Sequence, residues 1–163
     1  MKKLELLSLL EIISNDKEIK DSFLNILINT LDLRKNEFHP LVFINGTPSI
    51  GKNVYIGYLS EVNAKSSKVI IEDNCDIASF VSINVADSHK YAIGLSESIE
   101  RGEIHIENNV FIGSHSFIGK NVHIGHHSVV GAGTVLIDSG YIPPNSLIIG
   151  NPAKIIPNHY NNK

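Results

Sequence analysis

Residues 118-IGKNVHIGHHSVVGAGTV-135 decide the fold. Ile118, Ile124 and Val130 fall six apart, and Val122, Ser128 and Thr134 each follow four residues later. A helix repeats near 3.6 and a strand at 2, so neither accounts for a clock of six. Six residues do suffice for a short strand and a corner. Three such units close a triangular turn of 18 residues, and successive turns stack about 4.8 Å apart, the ordinary spacing between strands. The aliphatic position then points into the prism, and the smaller residue four positions on (Ser60, Ser116, Ser128, Thr134) turns inward near the corner. Glycine directly follows the aliphatic mark at Gly51, Gly57, Gly113, Gly119, Gly125 and Gly131, and its conformational freedom suits a sharp bend.

Outward from this stretch the same clock runs in three blocks. Ile44, Ile50, Ile56 and Val62 form the first. Ile71, Ile77 and Ile83 form the second, out of phase by three, so that a bulge is expected within 63–69. The third runs unbroken through Ile106, Ile112, Ile118, Ile124, Val130, Leu136, Ile142 and Ile148. A loop at 89–103 separates the last two blocks. Burying each Ile or Val contributes roughly 1.5–3 kcal/mol, enough over a dozen residues for a stiff column. A parallel β-helix follows from the spacing, but its handedness does not.

Residues 1–35 read differently. Leu6, Leu9, Leu10 and Ile13, then Ile19, Phe23, Ile26, Leu27 and Leu31, recur at helical spacing, and Asn15 with Glu18 resembles a capping box between two helices. Pro40 argues for a break before the column. The expected organisation is a helical segment over 1–35, a β-helix domain over 36–156 and a tail over 157–163. The opening MKKLELLSLLEII carries Glu5 and Glu11 within its apolar run and reads as a helix, not a signal peptide. No run of about 18 apolar residues predicts a membrane span. With 42% apolar and 19% charged residues and a net charge of −3, the chain suits a folded protein and shows no basic stripe for nucleic acid. Its single cysteine, Cys75, excludes an intrachain disulfide and fits a reducing cytoplasm.

Taken together, the hexads, the run 110-VFIGSHSFIG-119, the run 130-VGAGTV-135 and the closing 142-IPPNSLIIGNPAKII-156 resemble the hexapeptide-repeat acyltransferases. More narrowly, they resemble the sugar acetyltransferase branch with the galactoside and maltose O-acetyltransferases. The resemblance covers about residues 44 to 156. It implies a left-handed β-helix, a homotrimer, and acetyl-CoA bound between neighbouring columns. It also implies site residues. His89, within 84-NVADSHKYAIG-94, matches the catalytic histidine, a base suited to taking a proton near neutral pH. Asp87 or a nearby carbonyl would orient its ring. The Ser114 amide matches the donor to the acyl carbonyl or pantetheine arm. Gly131, Ala132 and Gly133 match the backbone along which pantetheine runs, and Lys154 matches a basic position near the cofactor's phosphates.

Two departures bear on the acceptor. Phe111 stands where many relatives carry tryptophan, and the segment 90–103 differs from a galactoside enzyme. Acceptor contacts are therefore expected at this loop and around the bulge, with Asn63 and Asn84 as candidates. His115 is expected to face outward near the cofactor cleft. His105, His123, His126 and His127 are expected to face solvent or a neighbouring subunit.

The expected activity is transfer of an acetyl group from acetyl-CoA to a carbohydrate hydroxyl, as in surface-polysaccharide or glycan-precursor modification, with no metal required. One alternative is N-acetylation of a nucleotide-linked amino sugar. Two others belong to different classes: a non-catalytic scaffold, and a metal enzyme resembling the γ-carbonic anhydrases, against which the three-, four- and one-residue spacings of His123, His126 and His127 argue.

Overall fold

The computed structural model describes residues 3–30, 38–39 and 41–161. It divides into two units, residues 1–40 and 41–163.

In the first unit α1 spans Lys3–Asn15 and α2 spans Lys17–Thr30, and the two helices contact each other. The cap between them lies one residue later than the sequence suggested. Asp16 Oδ1 accepts the Ile19 amide at 3.0 Å, so Asp16 is the N-cap of α2 and the expected pairing of Asn15 with Glu18 is corrected. The helical periodicity is real, but within this chain it buries little: Leu9, Leu10, Ile19, Phe23, Ile26 and Leu27 are exposed and Ile28 is buried. Leu31 and the expected boundary between residues 35 and 36 lie outside the described residues.

The second unit is the column. Its short strands pair in parallel along three faces, and each face carries one row of inward aliphatics. On the first face Ile44, Val62, Ile83, Ile118 and Leu136 are in register. On the second the row is Ile50, Ile71, Ile106, Ile124 and Ile142. On the third it is Ile56, Ile77, Ile112, Val130 and Ile148. Every member from Ile56 onward is buried, whereas Ile44 and Ile50, in the terminal coil, are half-buried. The period-six pattern is therefore the three-sided coil. The strand Lys154–Ile156 turns back antiparallel onto Leu147–Ile149 and ends the third face.

The small residues near the corners are buried and bonded. Ser116 Oγ donates to the Gly113 carbonyl at 2.7 Å, Thr134 Oγ1 to that of Gly131 at 2.6 Å, and Ser146 Oγ to that of Pro143 at 2.6 Å. Each hydroxyl thus ties its own corner and leaves no polar atom stranded in the core.

The glycines that follow the aliphatic marks have a different cause from the one expected. None of them has a positive φ; that conformation falls two residues later, on Asn53, Leu59, His115, Asn121, His127 and Gly133. Glycine is needed at the former positions because coils approach closely. A Cβ at Gly113 would lie 2.5 Å from the Ala132 nitrogen, and one at Gly125 would lie 2.6 Å from that of Pro144.

Both interruptions occur between the first and second faces. Val62 pairs with Ile83, three residues beyond the eighteen that separate Ile118 from Leu136. The extra chain forms a bulge after buried Ala64, with Ser66 at φ 60°. The longer interruption leaves the column after Asn84. Its stem pairs Ala86–Asp87 antiparallel with Glu100–Arg101, and its return is closed by the Gly102 amide donating to the Val85 carbonyl at 3.0 Å. At its head lies α3, His89–Ala92.

Candidate active site

His89 opens α3, and its side chain is 60% exposed. Asp87, two residues earlier on the stem, is close enough to bond it twice. Asp87 Oδ1 lies 2.5 Å from His89 Nδ1 and accepts the His89 amide at 3.3 Å. The hydrogen bond from His89, despite some burial, holds the Asp87 carboxyl below its usual range. An ionised carboxylate only accepts, so Nδ1 carries a proton, and in the neutral form of the ring Nε2 is the nitrogen with the lone pair. This arrangement suits a base: one nitrogen anchored, the other free to take a proton. Asp87 is the orienting group that the sequence left open between a carboxylate and a carbonyl.

A side chain that sequence reading missed completes this arrangement. Lys120 sits at the corner following Phe117–Ile118, and its side chain is 11% exposed. Its Nζ lies 2.7 Å from Glu100 Oε2, 3.5 Å from Asp87 Oδ2 and 3.6 Å from Asp138 Oδ2. Lys90 of α3 also reaches Glu100, at 2.6 Å. Hydrogen bonds from Lys120 and Lys90 bring the Glu100 carboxyl down to about 2, and the bond to Glu100 pushes Lys120 above the ordinary lysine value. The only sequence signal was an aliphatic-glycine-lysine corner, indistinguishable from a solvated lysine.

The other candidates form a second group at the opposite end of the same face. Ser114 and Ala132 occupy successive coils, joined by the Gly133 amide donating to the Ser114 carbonyl at 2.9 Å. Gly131 donates to the Ile148 carbonyl at 2.8 Å, so its amide is used by the column. Gly133 has φ 70° and open space where a side chain would stand, which is where glycine is conformationally required. The result is a strip of backbone with few side chains. Lys154 is exposed and pairs in register with Ile149, which follows Gly131 one coil on. Beside the strip, His115 is exposed and stacks on Phe80 with ring centroids 4.7 Å apart.

Asn63 and Asn84 lie in register at the root of the loop, and Asn63 Nδ2 donates to Asn84 Oδ1 at 3.1 Å. The same Asn84 oxygen accepts the Ala86 amide at 2.9 Å, steering the chain into the stem. Within one chain, then, the structure sets Asn63 and Asn84 at the root of the loop whose head carries His89. It groups Ser114 with Gly131, Ala132, Gly133 and Lys154. The first face lies between the two groups.

Of the remaining column histidines, His105 and His123 form a ladder on the second face, while His126 and His127 meet edge-on at the corner that follows it. His105 Nε2 lies 2.7 Å from Glu72 Oε1, and His123 Nε2 lies 2.8 Å from Glu107 Oε1. The two rings stack at 4.4 Å, and Tyr141 meets His123 edge-on at 4.8 Å. Cys75 is buried, and burial pushes its thiol up, toward the protonated form. Among the described residues no group of three or more His, Cys, Asp or Glu could hold a metal ion, and no helix is long and apolar enough to cross a membrane.

A three-sided column built of hexads defines a class of repeat proteins, and comparison with known proteins agrees. Residues 103–138 match the bacterial transferase hexapeptide (six repeats) family model. No curated protein sequence matches significantly. Among solved structures, a variant of AntD, an N-acyltransferase from Bacillus cereus in complex with dTDP and coenzyme A, aligns at 22% identity. That alignment covers 71% of this chain and 66% of that one, with a TM-score of 0.63. A maltose O-acetyltransferase from Clostridium difficile aligns at 23% identity over 88% of this chain and 89% of that one, with a TM-score of 0.60. A galactoside acetyltransferase in complex with coenzyme A aligns at 30% identity over 71% and 62%, with a TM-score of 0.51. This chain therefore spans somewhat under two thirds of the length of two of these neighbours. The chain carries the hexapeptide repeat, and its structural neighbours include the maltose and galactoside O-acetyltransferases that its motifs resemble.

Proposed function

We propose that the protein is an acyltransferase that moves an acetyl group from acetyl-CoA to a hydroxyl of a carbohydrate. The observation that carries this reading is the His89–Asp87 pair, which leaves Nε2 unengaged on an exposed loop. His89 takes the proton of the acceptor hydroxyl as its oxygen attacks the acyl carbonyl. Asp87 fixes the reactive tautomer and stabilises the imidazolium that forms. The Ser114 amide donates to the developing oxyanion, where one preorganised donor is worth about 2.7–4 kcal/mol. As the tetrahedral intermediate collapses, its C–S bond breaks and the departing coenzyme A sulfur takes the proton back from His89, leaving as the thiol. The bare strip of Gly131, Ala132 and Gly133 suits the close approach of a pantetheine arm, and the Lys154 ammonium suits its phosphates. Asn63 and Asn84 stand where the acceptor would reach His89.

Because His89 and Ser114 occupy opposite ends of one face, one chain does not join them. A complete site takes the loop of one copy and the strip of a neighbour, which supports a closed trimer as the active form. Coenzyme A supply fits a cytoplasmic setting, and the acceptor class fits surface-polysaccharide or glycan-precursor modification. No step calls for a metal.

The AntD neighbour is an N-acyltransferase in complex with dTDP, which favours acylation of an amine on a nucleotide-linked sugar as a second reading. Thiol release from acetyl-CoA, measured with panels of sugars and amino sugars, separates the two. Acceptor-dependent release with plain sugars is the expected result. Release only with nucleotide-linked amino sugars would replace the first reading by the second, and release with neither would remove both.

A further inference from the structure

Asp87 and Glu100 stand directly opposite each other on the two antiparallel strands of the loop stem. Like charges at such a position repel, and the stem has only two residues on each side to resist them. Lys120, from the corner of the column, reaches both carboxylates, 2.7 Å from Glu100 and 3.5 Å from Asp87. The other oxygen of Asp87 is the one that holds His89. One carboxylate is therefore shared between an imidazole and an ammonium.

We propose that Lys120 is the positioning residue of the His89 base: it clamps the stem to the column and limits how strongly Asp87 favours the protonated imidazole. This rests on the reading of His89 as the base. An aspartate bonded to a histidine raises its affinity for a proton, and an imidazole already protonated near neutral pH accepts nothing from an acceptor. A neighbouring ammonium offsets that field. The charged groups around the pair are Asp87 on one stem strand, Glu100 on the other, Lys90 on α3, Lys120 on the next coil and Asp138 on the coil after it. Asp138 is half exposed, takes the Asn121 side-chain amide at 2.8 Å and lies 3.6 Å from the Lys120 ammonium, where it competes with Asp87 for the same charge. Lys120 is the cation that faces Asp87 directly.

The test is a titration of the His89 ring by NMR on the full chain with labelled histidine, its signals assigned by their loss in His89→Gln. Lys120→Met should move the His89 midpoint up by about half a pH unit or more. Lys120→Arg should restore most of it. Asp138→Asn, a surface change that leaves the core untouched, should move it slightly down, which keeps the test open if Lys120→Met does not fold. The acid limb of the pH profile for acyl transfer should follow the same order. An unmoved midpoint in Lys120→Met, or in Asp138→Asn if that is the variant that folds, would overturn the proposal whether or not transfer is seen. Midpoints that shift as expected in a protein that transfers no acyl group would leave the tuning intact and remove the catalytic reading.

Discussion

His89 with Asp87 and His123 with Glu107 are the same chemical pair in two settings. On the second face the pair belongs to a ladder. His123 stacks on His105 and meets Tyr141 edge-on, and Glu107 spends its second oxygen on the His126 amide at 2.8 Å. On the loop His89 has its carboxylate partner and little else, with its ring in the open. A histidine confined by stacked neighbours reinforces the column. A histidine tethered at one nitrogen and otherwise accessible is available for proton transfer. Residue type did not make this distinction; the departure of the chain from the column did.

The sharpest way to break the comparison is to remove each ring. His89→Ala should lower turnover about 10²–10⁴-fold, the usual contribution of a positioned base, while His123→Ala should leave turnover within a few-fold. Both are read in the thiol-release assay, and an equal loss from the two variants would erase the contrast. For an amine acceptor, which can arrive neutral, the His89→Ala loss should be smaller.

The column itself should respond through stability. Ile118→Ala, in a fully buried row, should cost about 2–5 kcal/mol, read as a lowered denaturant midpoint. Gly113→Ala should cost about 1–3 kcal/mol although it adds only a methyl, because the Ala132 backbone of the next coil must move.

A smaller effect separates the two regions by pH. Glu100 has a folded value of about 2, below the ordinary 4.5 of a glutamate. Its stabilisation of the stem is therefore present above pH 4.5 and is lost as pH falls toward 2. Amide exchange across residues 86–101 should quicken over this window, and in Lys120→Met the pH dependence should flatten. The smallest effect belongs to the ladder. A double-mutant cycle on His123 and Glu107 should give a coupling of about 1 kcal/mol or less, as for other partly exposed pairs.

The legibility of this molecule follows the same division. Ile106 through Ile148 revealed the column because every buried position repeats on one period, and burial is what periodicity records. Ile44 and Ile50 carry the same mark but are half-buried, although Ile56 of the same coil is buried, so the mark alone does not report the degree of burial. The glycines were found but misread, since a sequence shows that a side chain is absent without showing whether φ or a neighbouring coil demanded it. His89 was singled out by the break in the pattern together with the family resemblance, and the fold sets it at the head of the loop beside Asp87. Lys120 was not, because its partners Asp87, Glu100 and Asp138 come from three separate segments, and only the folded loop brings them to one nitrogen.

The bulge after Ala64 and the loop after Asn84 leave from the same edge of the prism, and they touch: Ser67 Oγ donates to the Gly102 carbonyl at 3.0 Å. The hydrogen bonds that hold coil to coil run along the faces. Chain added at an edge therefore disturbs no register, as the intact pairings of Ile50 with Ile71 across the bulge and of Ile71 with Ile106 across the loop show. That edge works as an interchangeable tool mount. Its attachments can be exchanged, lengthened or shortened while the spindle beneath keeps its gauge.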